Sequence, residues 1–289
     1  MEAGRIFLFR HRPMRISILL AVSLFLAAAP AGAQQEPTGI LFAVQAMEDG
    51  GALLEPVILL RGTHGFDRPE MSDTASPEVR RWLRPGADYG LFQRGERVGD
   101  TRVVAAEELA CVGLGARASF TRTRAVDEAW LGLAAQGLPE QRGAPWLRSA
   151  TPAERRALDR LAAALFHAHG IDVSDRPLGD TAASVLLFGP DTRPLLVGSY
   201  ELMNDKRSAA TFIVAEERQE GYRPVYAWFH ESHESDREAR ALVDAIDLDG
   251  EGEPELVLRN SYYEMWDFVI LRRTDSGWSE VYQGGGAGC

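Results

Sequence analysis

The sequence predicts a mainly β protein with a few helices: a small N-terminal β-barrel-like domain, a linking helix, and a C-terminal antiparallel β-meander of two blade-like repeats. Three observations predict it. Short apolar runs separated by Gly-, Pro- and Asp-bearing turns fill residues 40–120 and 181–283. A single segment, 151–170, joins a helix-start signal to a 3.6-residue apolar period and a glycine stop. The apolar runs after residue 194 recur after residue 254.

The chain of 289 residues opens on a segment, 1–33, with the layout of a secretory signal peptide. Arg5, Arg10, Arg12 and Arg15 precede the uncharged run Ile16 to Ala29, and Ala31-Gly32-Ala33 offers a cleavage site before Gln34. The alternative, a membrane anchor, needs about 20 apolar residues to cross a bilayer. The expected location is therefore periplasmic or secreted. Removing 1–33 leaves 27 basic and 41 acidic groups, a net charge of −14 against −11 for the whole chain. All the basic residues but Lys206 are arginines. An acidic balance of this size argues against nucleic-acid binding and against a polybasic membrane surface. In an oxidising compartment, Cys111 and Cys289 suggest a disulfide that would pin the glycine-rich tail 284–288, expected to be flexible, onto the N-terminal half. An intermolecular bond or two unpaired thiols are the alternatives.

The first domain, 34–122, reads as five short strands: Ile40–Met47, Glu55–Arg61, Tyr89–Gln93, Thr101–Val104 and Ala110–Phe120, with a polar loop over 62–80. That density suggests a small barrel or curled sheet. Residues 123–180 form a linker and an amphipathic helix. Val126–Ala135 is expected as a short helix with Trp130 and Leu133 on one side. The clearer helix begins at Thr151, where Pro152 suits the first turn and Glu154 completes a capping box. Leu158, Leu161, Ala162 and Leu165 share one face, and Gly170 ends it.

From 181 to 289 eight strands are expected: Ser184–Phe188, Pro194–Met203, Thr211–Glu216, Tyr222–Phe229, Arg240–Ile246, Pro254–Ser261, Trp266–Arg272 and Trp278–Tyr282. A shift of 60 lays Pro194-Leu195-Leu196-Val197 over Pro254-Glu255-Leu256-Val257. A shift of 56 lays Phe212-Ile213-Val214 over Phe268-Val269-Ile270, and Val225-Tyr226 over Val281-Tyr282. This is two copies of a four-stranded unit the size of a propeller blade.

Between two of these strands, Asp247, Asp249, Glu251, Glu253 and Glu255 place five carboxylates in nine residues. In a tight turn they repel one another unless a cation sits among them, and Ca²⁺ accepts six to eight oxygen ligands. Gly252 permits the bend. The string D-L-D-G-E-G-E-P-E-L-V resembles the calcium loop of FG-GAP/VCBS-type repeats, found in integrin-like β-propellers and exported bacterial proteins. That resemblance covers about 181–283 and implies side-chain ligation by Asp247, Asp249, Glu251 and Glu255, with the Glu253 carbonyl. The family often has Asp or Asn where Glu251 stands and Asp where Glu255 stands. In the first copy the matching positions are Leu187, Gly189, Asp191 and Leu195, which keep the strand pattern and lose nearly all the acids.

No Walker loop, G-x-S-x-G elbow, Rossmann fingerprint, H-E-x-x-H or C-x-x-C occurs. The densest His and acid cluster, His230-Glu231-Ser232-His233-Glu234, falls in the polar connection between the copies. The aromatics Tyr226, Trp228, Tyr262, Tyr263 and Trp266 suit cross-strand packing or a protein or glycan surface. The expectation is an exported, non-enzymatic binding or adhesion module with one structural Ca²⁺ and an unidentified protein or glycan ligand. The alternative is a periplasmic hydrolase or metalloenzyme using His230 and His233 with nearby carboxylates, and with His64 in the same cleft.

Overall fold

The computed structural model describes residues 36–289 apart from 63–64, 70–76, 110–112, 124–129, 142–145, 174–177, 179–182, 189–192, 204–206, 234–236 and 276. The signal-peptide expectation at 1–33 and the residues Cys111, His64, Gly189 and Asp191 lie outside the described residues. Among the described residues, no helix is long and apolar enough to cross a membrane.

Residues 36–289 pack as four layers in the order barrel, sheet, sheet, helix, and the three strand layers follow from two-residue alternation along the strands. The barrel is built from β1 (Gly39–Ala46), β2 (Ala52–Arg61), β4 (Asp88–Gln93), β5 (Glu96–Glu108), β6 (Leu114–Thr123) and β7 (Trp130–Gln136). It runs β1-β7-β4-β5-β6-β2 and closes where β2 pairs with β1; β3 (Gly65–Asp67) extends from β2. Ile40, Phe42 and Val44 fill its interior with Leu54, Tyr89, Leu91 and Val103. Leu41 and Ala43 point the other way and, with Ile58, Phe92, Leu133 and Ala135, make an apolar outer wall.

That wall is covered by the four-stranded sheet β13 (Ala239–Ile246), β14 (Glu255–Ser261), β15 (Met265–Thr274) and β16 (Gly277–Gly288). Val257, Phe268 and Ile270 face the barrel. Leu256, Leu258, Val269 and Leu271 face the next sheet. The third layer pairs β12 (Gly221–His233), β11 (Arg207–Arg218), β10 (Leu195–Met203), β9 (Ala183–Leu187) and β8 (Trp146–Ser149). Leu195, Val197, Phe212 and Val214 face inward, while Leu196, Tyr200, Ile213 and Ala215 meet the helix α2 (Pro152–Ala168). Burial on both faces explains why β10, β11, β14 and β15 read as nearly unbroken apolar runs.

The helix forms as its sequence predicts. Thr151 accepts a hydrogen bond from the Glu154 N–H, the Glu154 carboxylate accepts one from the Thr151 N–H, and Gly170 follows with φ +77°. Its buried stripe is Ala157, Leu158, Ala162 and Phe166, with Leu161 and Leu165 at the margins. A bidentate Arg148–Glu154 pair, 2.8 and 2.6 Å, ties its first turn to β8.

Several expectations are corrected. The helix expected at Val126–Ala135 is strand β7 over its described part: Leu133 and Ala135 face the second layer and Ala134 faces the barrel interior, a period of two. The 62–80 loop holds β3 and the start of a helical turn, α1 (Pro77–Arg80) running into a 3₁₀ turn at Arg81–Leu83. The eight-strand run forms as expected, as two antiparallel meanders, β9–β12 and β13–β16, with β8 added to the edge of the first. His230 and His233 lie in β12, not in a polar connection, because Ala210 and Arg207 of β11 extend the ladder opposite them. Finally, the glycine run 284–288 is not a free tail. It belongs to β16, and Gly285 approaches the barrel so closely that a Cβ there would meet the Pro56 and Val57 carbonyl oxygens at 2.7 and 2.8 Å.

Candidate metal centre

The acidic loop leaves β13 at Ile246 and returns at Glu255, the two residues being paired across the ladder. Its conformation is set by apolar and small residues. Leu248 is buried in the core against the barrel, which pulls the loop inward. Gly250 and Gly252 adopt φ +79° and +90°, where side chains are disfavoured. At Gly250 space forbids a side chain as well, since a Cβ would stand 2.7 Å from Pro139.

With the loop folded this way, three carboxylates turn inward. Asp247, Asp249 and Glu255 are 2%, 7% and 1% exposed, and one oxygen from each lies within 4.8 Å of the others. Asp247 Oδ1 accepts from the Gly250 N–H at 2.7 Å and Oδ2 from the Gly252 N–H at 3.0 Å. Asp249 Oδ1 accepts from the Glu251 N–H at 3.0 Å, and Glu255 Oε2 from the Leu248 N–H at 2.8 Å. Each carboxylate oxygen has a second acceptor site. Glu251 and Glu253 have exposed side chains outside this group; Glu253 lies 3.8 Å from Arg273 Nη1.

The charge is partly offset from β15. Arg272 places Nε 2.6 Å from Glu255 Oε1 and Nη2 3.1 Å from Asp249 Oδ2. One guanidinium faces three buried carboxylates, an excess of two negative charges when all three are ionised. Burial, with the Asp249 charge adding to it, pushes the Glu255 carboxyl up to about 7, and burial also raises Asp247. Gln141 clasps the loop from outside, donating to the Asp247 carbonyl at 2.8 Å and accepting its N–H at 3.3 Å. Sequence reasoning missed Arg272 and Gln141, because a strand register and a contact 106 residues distant bring them in.

The histidine cluster does not assemble comparably among the described residues. His230 Nδ1 lies 3.3 Å from Glu238, its Nε2 is buried without a hydrogen-bond partner, and its ring stacks parallel to Trp228. The His233 side chain is outside the described residues. Tyr226 and Trp228 are half-buried against the core between the two sheets, whereas Tyr263 is 70% exposed. No family model, curated protein or solved structure matches the chain.

Proposed function

We propose that this is an exported, non-enzymatic β-rich module whose loop 247–255 holds one structural Ca²⁺, and that its role is binding or adhesion toward a protein or glycan. The observation that carries the reading is the convergence of three buried carboxylates, two of which share one arginine. An all-oxygen donor set suits a hard divalent cation rather than a thiolate- or imidazole-seeking one. Asp247, Asp249 and Glu255 would hold the ion, with Arg272 retained behind the last two. The FG-GAP/VCBS resemblance belongs to this reading, as does export through residues 1–33. The matching strand order of β9–β12 and β13–β16 supports duplication.

The Cys111–Cys289 pairing belongs here too. Gly113, two residues after Cys111, packs so near Ala287, two before Cys289, that a Cβ on it would lie 2.8 Å from the Ala287 Cβ. Non-reducing peptide mapping checks it: a linked pair of peptides is expected, and two free thiols would overturn it.

Extracellular calcium modules bind at about 10⁻⁴–10⁻³ M. At ~1 mM free ion and a ~0.1 mM dissociation constant, occupancy adds about 1.4 kcal/mol. The melting temperature should rise by about 3–5 °C when chelator is replaced by Ca²⁺, less with Mg²⁺, and not at all in an Asp247→Ala/Asp249→Ala variant. An unchanged melting temperature in the parent protein would remove the reading.

A further inference from the structure

A second polar site lies where the barrel meets the edges of both sheets. The β4–β5 hairpin turns through Arg94 and Gly95, with φ +55° and +81°. This is the two-residue turn with positive φ at both positions, normally filled by Asn, Asp or Gly. An arginine at the first position costs conformational energy that a glycine would not. The turn is gripped on both sides. The Leu147 N–H of β8 donates to the Arg94 carbonyl at 3.0 Å, and the Gly95 N–H donates to Asp244 Oδ1 of β13 at 2.8 Å.

Beside the turn is a cavity of about 300 Å³. Arg94, Arg148 and Arg155 stand on its walls, Leu147 and Leu242 supply an apolar side, and Asp244 is the one acid among its lining residues. Asp244 is 1% exposed; its Oδ1 also accepts the Ala245 N–H at 2.8 Å, while Oδ2 is buried with no hydrogen-bond partner. Gly132 borders Oδ2; its φ of +103° and the Phe92 carbonyl oxygen, which a Cβ would strike, hold that position to glycine. Three arginines and one acid line the cavity, and Arg148 is held in place by its bidentate pair with Glu154.

We propose that this cavity binds a small molecule with an oxyanion head, a carboxylate or a phosphate monoester, with the arginines around the head, Asp244 Oδ2 hydrogen-bonded to it, and a short apolar body against Leu147 and Leu242. For that contact Asp244 must be protonated and donate. Burial pushes its carboxyl up to about 7, which keeps a proton available near neutrality. The site is independent of the calcium loop.

The test titrates the purified protein with sodium butyrate and with inorganic phosphate at constant ionic strength, chloride replacing either anion in the control, and follows the melting temperature and calorimetric heat. Arg94→Gly is the informative variant, because glycine accepts φ +55° and the fold should melt no lower than the parent. Saturable stabilisation by at least one anion, weakened tenfold or more by Arg94→Gly, is expected. A response to butyrate alone assigns a carboxylate head, and to phosphate alone a phosphate head. No response beyond chloride, or an equal response in Arg94→Gly, would overturn the proposal.

Discussion

The sheets β9–β12 and β13–β16 share one strand order but differ in what covers them. The first lies between its neighbour and helix α2, the second between its neighbour and the barrel. The contrast concentrates at one pair of matched positions. Leu195 and Glu255 each open the second strand of their sheet, and each is 1% exposed. The same buried niche therefore takes a leucine in one sheet and a carboxylate in the other. The carboxylate is tolerated because Arg272 reaches it. The position matching Arg272 in the first sheet is Glu216, whose acid pairs instead with Arg218 and with Arg273 of the other sheet. Burial by itself thus does not dictate the acidic loop; a buried acid persists where a compensating cation comes with it.

The most damaging way to break this comparison is Arg272→Ala. It leaves Glu255 and Asp249 buried without their guanidinium, and urea unfolding should register a loss of about 3–5 kcal/mol. Millimolar Ca²⁺ should recover part of it if an ion can replace the arginine. Phe268→Ala and Phe212→Ala test the covering layers. Both rings are fully buried, one against the barrel and one between the sheets. Each substitution should cost about 3–5 kcal/mol, and a much smaller loss at Phe268 would show that the barrel interface is loosely packed. The pair Glu255→Leu/Arg272→Leu removes the ion pair and gives the second sheet the leucine that the first has at Leu195. Replacing a buried ion pair by apolar residues is often neutral, but Asp249 stays buried without Arg272, so the loss should be smaller than in Arg272→Ala without vanishing, while the response to Ca²⁺ falls.

Asp244 supplies a pH test. Its carboxyl lies at about 7 in the folded protein against 3.8 ordinarily, so the folded state binds this proton more tightly than the unfolded one. The contribution is fully present below pH ~4 and is lost as pH rises through ~7. Asp244→Asn should flatten that decline when urea stability is measured between pH 4 and 8; an unchanged slope would assign the decline to other groups. The smallest effect is expected at the helix, where Thr151→Ala removes one half of the capping box and should cost about 1 kcal/mol.

Local signals were the legible ones. The eight strands after residue 181 all form, and all but β11, β12 and β16, which run longer, keep close to their expected limits, because alternating or continuous apolar runs end at turns such as Gly221 and Gly277. The Thr151–Glu154 cap was readable from four adjacent residues. β7 was misread because its described apolar positions alternate about glycine and alanine, which mark a strand only once β1 and β4 flank it. The three inward acids were visible in the loop, but nothing local separates them from Glu251 and Glu253, which face solvent. Arg272, Gln141 and the Arg94–Asp244 junction depend on tertiary register and left no pattern to read.

The covering of the barrel by the last sheet also has a temporal consequence. Trp266 Nε1 donates to Glu55, and the Tyr282 hydroxyl to the Val57 carbonyl, across 211 and 225 residues of chain. Synthesis delivers about 5–20 residues per second, so strand β2 waits on the order of ten seconds for the groups that cover its outer face. During that interval the wall of Leu41, Val57 and Ile58 is uncovered apolar surface on a strand pair that has already been made. Such long-range closure slows folding and lengthens exposure to aggregation. A nascent chain of this topology therefore has reason to be held unfolded until its C-terminal strands have arrived.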